Sequence, residues 1–224
     1  MPAVFLVSDT HFGHAGVCRF LRDDGTKLRP WDNPDEMDEH MVKVWNETVR
    51  PTDKVYHLGD VVINRKALKI LHRLNGDKVL IRGNHDIFKD EDYYKYFRSL
   101  RGYHVMNGMI LSHIPIHKDS IERYSGNIHG HLHGNVLDDP DYFSVCVEQI
   151  NYTPIAIEEV KLQMRAKRLA KTYGVSLEDV LKADKCDICF THGIIVPSRT
   201  IFGKPTFKGL RPVCLLNNQV THIT

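Results

Sequence analysis

Five short stretches of this 224-residue chain set imidazoles beside carboxylates, an amide or glycines: Asp9-x-His11, Gly59-Asp60, Gly83-Asn84-His85, Ser112-His113 and Gly130-His131-x-His133. Any one alone is weak. A tetrapeptide such as Gly83-Asn84-His85-Asp86 can simply be a turn whose Asn and Asp satisfy local backbone groups. Together the five offer two carboxylates, one amide oxygen and five histidines. That mixed set suits Mn, Fe, Zn or Ni better than Ca or Mg. It is too large for one tetrahedral ion and about enough for two octahedral or five-coordinate ones. Two ions sharing a carboxylate, roughly 3.5–4 Å apart, can activate a water and stabilise charge on a transferring phosphoryl group.

Each stretch follows an apolar, β-prone run, as groups at the carboxyl ends of strands do in α/β sheets. The runs are Val4–Val7, Val55–Leu58, Lys78–Ile81, Met109–Ser112 and Asn127–His129, with Phe143–Val147 and Asn151–Ile157 closing the series. Helices are expected between the early strands. Asn33-Pro34 supplies an N-cap and first-turn proline, with Glu36 placed for a capping box, and Met37, Met41, Val44, Trp45 and Thr48 form a buried stripe that Pro51 ends. A second helix runs from about Arg65 to Leu74, and an aromatic-rich one uses Tyr93, Tyr94, Tyr96 and Phe97. The later strands read as short and antiparallel. Early alternation followed by strands predicts two packed sheets with helices outside.

The remaining histidines divide by context. His57 and His129, inside strands, read as packing or supporting residues. His14 could contact substrate or support a ligand, and His117 could face substrate or solvent. Arg82 is placed either for a phosphate contact or for a surface ion pair. His40, His72 and His104 read as structural.

The order of motifs, with the stretches DTHFGH, IRGNHD and VCVEQINYTPI, resembles the calcineurin-like metallophosphoesterase superfamily, in particular its small bacterial and phage members without a cap domain. The resemblance covers residues 4 to about 157 and implies an α/β, four-layer αββα sandwich with metals at the sheet ends. Carried over by position, it implies that Asp9, His11 and His133 hold one divalent transition-metal ion (Mn first, with Fe, Ni or Zn as alternatives). Asp60 would bridge, and Asn84, His113 and His131 would hold a second ion. It further implies a metal-bridging hydroxide as nucleophile, His85 as general acid for the leaving oxygen and Asp86 as the group orienting the His85 ring.

Composition divides the chain into a body, 1–157, and an appendage, 158–224. The appendage holds 11 Lys+Arg and 6 Asp+Glu, a net +5, whereas the body carries −3. Glu158–Tyr173 reads as a helix, and Ser176 caps another, with Asp179 three residues on. Cys186-x-x-Cys189 and Cys214 suggest part of a structural zinc site. The segment YGVSLEDVLKADKCDIC resembles the start of phage recombination endonucleases of the His-Asn-His treble-clef kind, but a fourth cysteine and that family's His-rich loop are absent. A degenerate, basic module able to touch nucleic acid is the modest reading. Five cysteines and no basic leader before Val4 argue for a reducing, cytoplasmic setting in a bacterium or phage-infected host, and no apolar run spans a bilayer.

The expected activity is a two-metal phosphohydrolase, a phosphodiesterase acting on nucleotides or nucleic-acid ends. A phosphoprotein phosphatase is the rival within enzymes. A nucleic-acid-binding protein acting through the basic tail is the rival from another class.

Overall fold

The computed structural model describes residues 2–184, 213–216 and 219–222. The chain divides into two compact units, Met1–Lys161 and Leu162–Thr224. In the first, strands β1 (Val4–Val7), β2 (Lys54–His57), β3 (Asp77–Ile81) and β4 (Ser99–Arg101) pair in parallel. A short antiparallel strand, β9 (Ile155–Ala156), completes a sheet of order β4-β3-β2-β1-β9. A second sheet orders β5 (Tyr103–Met106), β6 (Met109–Ser112), β7 (Asn127–His129) and β8 (Tyr142–Ser144) side by side.

The orientation of this second sheet corrects the sequence reading. Only β5 and β6 are antiparallel; β6, β7 and β8 run parallel. Periodicity reports which faces are buried but not strand direction. Here the connections between β6, β7 and β8 are long enough to return the chain to the starting edge. The carboxyl ends of β6 and β7 therefore open on one side. A parallel bridge between Ser8 and Cys146 joins the end of β1 to the segment following β8.

Burial explains the layering. Phe5, Val7, Val55 and Leu80 pack with Met37, Met41, Trp45, Ala67 and Leu71 in one apolar core. The alternating residues Leu6, Tyr56, Val79 and Ile81 are buried as well, so both faces of the sheet are covered. Helix α1 (Pro34–Thr48) starts as expected, with the Asn33 side chain accepting from Asp35 N, and it buries Val42 in place of the expected Val44. The Arg65–Arg73 segment is a 3-10 helix capped by Asn64. The aromatic-rich helix shrinks to one turn, α2 (Asp90–Tyr93), although Tyr93 and Phe97 are buried. Ile110 of β6 and Tyr142 of β8 form a small cluster with Ile121, which follows the 3-10 turn Lys118–Ser120.

The second unit contains most of α3 (Ile157–Tyr173), α4 (Leu177–Asp184) and a hairpin of β10 (Val213–Leu216) with β11 (Gln219–His222). No helix among the described residues is long and apolar enough to cross a membrane.

Candidate metal centre

The strand ends place their polar residues by an unusual backbone. Asp9, His11, Asp60, His131 and His133 all adopt φ between 48° and 70°. Non-glycine residues seldom do so, and strain of this kind clusters at functional sites. Two glycines let the ends approach: a Cβ on Gly83 would strike the Asp60 carboxylate, and one on Gly130 would strike Ser8 and the Asp9 carboxylate.

Asp9 is fully buried. Its Oδ2 accepts from His131 N at 2.8 Å and from the Cys146 thiol at 3.2 Å. Its Oδ1 has no hydrogen-bond partner among the described residues and lies 3.8 Å from both His11 Nε2 and His133 Nε2. Burial opposes ionisation of Asp9, but the surrounding His11, His113 and His133 imidazoles outweigh it and hold the carboxyl well below its usual range. Both ring nitrogens of His11 are buried without a hydrogen-bond partner among the described residues. The His11 and His133 rings stack with centroids 5.2 Å apart.

Asp60 joins this group to a second. Its Oδ2 lies 3.5 Å from His11 Nε2 and 3.5 Å from His113 Nε2, while its Oδ1 accepts from His85 N at 2.9 Å. His113 donates Nδ1–H to Leu58 O at 2.7 Å, which leaves its Nε2 lone pair free. That nitrogen lies 2.9 Å from Asn84 Oδ1 and 3.2 Å from His131 Nδ1, and the last two are 3.1 Å apart. Burial, with the neighbouring His113, holds His131 below its ordinary value.

Orphaned buried donors around Asp9 and three electron-pair donors closed into a triangle fit metal cations better than they fit one another. Asp9, His11 and His133, and separately Asp9, Asp60 and His113, each bring ligand atoms within 4.8 Å of one another.

The other expected site residues fall out differently. His85 is exposed, and its ring centroid lies 5.5 Å from that of His11. Asp86 was expected to orient the His85 ring; its buried carboxylate instead accepts from three backbone N–H groups, of Asp60, Val61 and Gly83, at 2.8–3.0 Å. It staples the β2 and β3 ends together. Arg82, weighed as a phosphate contact, donates to Asp90 Oδ1 at 2.7 Å and Phe88 O at 2.6 Å, with its guanidinium over the Tyr93 ring. Arg82 thus makes an ion pair within the chain. His14 packs 5.6 Å from the His11 ring and edge-on to Phe20. Burial and the neighbouring His11 and Arg29 lower it to about 4.

His57 is buried, stacks on Trp45 and meets Thr10 Oγ1 at 3.0 Å, and burial lowers it to about 3. His129 donates to Gly130 O. Among the cysteines named for zinc, Cys186 and Cys189 lie outside the described residues, and Cys214 sits in β10.

Sequence reasoning missed Arg29 and Glu148. Glu148 Oε1 accepts from His133 Nδ1 at 3.0 Å and from Arg29 Nε at 2.8 Å, with the whole pair out of solvent. The available signal was a lone carboxylate directly after the buried run Val145-Cys146-Val147.

Beside the centre an open cleft of about 560 Å³ is lined by residues of the 20–28 segment, among them Phe20, Leu21, Arg22, Asp23 and Asp24, and of the 131–135 loop, including His131 and His133.

Comparison with known proteins agrees with this geometry. A protein of Methanocaldococcus jannaschii, itself uncharacterized, is 34% identical over 185 residues, covering 77% of this chain and 97% of that one. The Gene 66 protein of Mycobacterium phage D29 is 37% identical over 91 residues, 38% of this chain and 41% of that protein. The solved structure of a protein of unknown function, AQ665 from Aquifex aeolicus, superposes with a TM-score of 0.55 at 26% identity, over 72% of this chain and 98% of that one. The family model for calcineurin-like phosphoesterases matches residues 3–223. With buried imidazoles and carboxylates gathered at the strand ends, the chain belongs to the calcineurin-like phosphoesterase family and is a metal-dependent phosphoester hydrolase.

Proposed function

We propose that the protein hydrolyses phosphodiesters, of nucleotides or at nucleic-acid ends, with two divalent transition-metal ions of which Mn is the first choice. The observation that carries this is the Asp60 Oδ2 atom, at equal distance from His11 Nε2 and His113 Nε2 and so between two donor groups. Asp9, His11 and His133 would hold one ion, Asn84, His113 and His131 the other, and Asp60 both. When bound, the ions supply Lewis acidity toward a phosphoryl oxygen and lower the pKa of an attacking water.

The chain's own residues do the rest. The Asp60 Oδ1 bond to His85 N pins the segment that carries the His85 ring. That ring, exposed beside His11, is placed to give a proton to the leaving oxygen. Asp86 keeps the strand ends in register through its three backbone bonds. The cleft lined by His131 and His133 is also lined by the exposed Phe20 and Leu21 and offers room and apolar surface for a second ester group. This favours a diester over a monoester.

The test is hydrolysis of bis-p-nitrophenyl phosphate beside p-nitrophenyl phosphate and a phosphopeptide. Metal-stripped protein is refilled with Mn, Ni, Zn or Mg, with Asp60→Asn as control. Mn-restored diester cleavage that the variant lacks is expected. Faster turnover of the phosphopeptide would overturn the diester reading in favour of a phosphoprotein phosphatase.

A further inference from the structure

Arg29 and Glu148 lie 119 positions apart in sequence and meet where neither side chain has any solvent exposure. As a source of stability a buried ion pair is a weak choice, since an apolar pair of similar volume often does as well. Its bonds indicate another use. Arg29 Nη1 donates to Thr10 O at 2.9 Å and Nη2 to Asp9 O at 2.6 Å. Its Nε donates to Glu148 Oε1, and the same oxygen accepts from His133 Nδ1 at 3.0 Å. Among the described residues the other Glu148 oxygen is buried without a hydrogen-bond partner, and the carboxylate's side-chain partners are Arg29 and His133. One guanidinium thus grips the backbone that presents Asp9 and His11, both with left-handed φ, and through Glu148 it also reaches His133.

We infer that Arg29 and Glu148 are positioning residues for one metal position. Glu148 fixes the ring orientation and Nδ1–H tautomer of His133, leaving Nε2 free, and Arg29 locks the Asp9–His11 strand end to that imidazole. The inference rests on the reading of Asp9, His11 and His133 as a metal-holding set. A carboxylate behind a ligating imidazole sharpens both its direction and its basicity.

The experiment is Mn²⁺ titration of metal-stripped protein by calorimetry, with thermal unfolding in chelator and long-range ¹H–¹⁵N spectra of the histidines run alongside. Glu148→Gln is expected to weaken one of two Mn equivalents by about 10- to 100-fold. The other equivalent stays near wild type, and His133 loses its uniform Nδ1–H tautomer. Wild-type affinity for both equivalents in Glu148→Gln would overturn the inference. If Glu148→Gln does not fold, Arg29→Met/Glu148→Leu removes both charges together; that variant is expected to fold with the same loss, and full affinity in it would equally overturn the inference. Wild-type protein that binds no divalent ion would refute the metal reading itself, and is told apart from a wild-type protein that binds two equivalents insensitive to position 148.

Discussion

Asp60 Oδ2 stands 3.5 Å from His113 Nε2, and the same oxygen stands 3.5 Å from His11 Nε2 on the other side. That oxygen therefore lies between both donor groups, and under the proposed two-ion reading its loss should disable both. Asp60→Asn is expected to lower Mn affinity and diester hydrolysis by more than about 100-fold. The main-chain N–H of Asp60 still bonds Asp86, so unfolding in chelator should shift little. A variant retaining two tight Mn equivalents would show that Asp60 is not shared.

Asp86 tests the difference between stapling the strand ends and tuning His85. Asp86→Ala leaves three buried N–H groups without an acceptor, each costing about 1–3 kcal/mol. Urea unfolding of the metal-free protein should therefore show a loss of about 3 kcal/mol or more. Asp86→Asn, which keeps part of the acceptor set, should fall between, with an unshifted pH–rate profile. Unchanged stability with a displaced profile would return Asp86 to the role of orienting His85.

His85 makes its hydrogen bond to Asp60 through the backbone, so removing its ring spares that bond. His85→Ala is expected to bind Mn as wild type does and to slow diesters with poor leaving groups by about 10²–10⁴-fold, and nitrophenyl esters much less. Loss of Mn binding in this variant would refute the general-acid assignment.

Asp38, on α1, gives a pH signature outside the centre. It is 5% exposed, its Oδ2 accepts from Gly13 N at 2.9 Å, and its Oδ1 has no hydrogen-bond partner among the described residues. Burial raises its carboxyl from 3.8 to about 7. The folded protein therefore binds more protons than the unfolded chain between those values. Stability from this group is complete below about pH 4, falls as pH rises to about 7, and is level beyond. In chelator, Asp38→Asn should match the wild-type Tm near about pH 4 and exceed it by several degrees at about pH 8. An equal Tm at both pH values would mean Asp38 ionises normally.

Much of this protein was legible in the chain itself because the relevant information is local. The donor types beside glycines, the apolar runs before them, the Asn33-Pro34 helix start and the Met37–Met41–Trp45 stripe all lie within a few residues of one another. The tertiary structure decided what depends on residues far apart. It turned β6, β7 and β8 parallel, which local alternation of buried residues leaves open. It committed Arg82 to Asp90 and Phe88, and Asp86 to backbone N–H groups of two strand ends, since a charged side chain takes whichever partner folding brings to it. Arg29, Glu148 and His133 carry no shared motif and become one unit only when the end of β1 and the segment after β8 meet through Ser8 and Cys146. A buried charge must find its partner inside the fold, and sequence spacing does not record which partner that is.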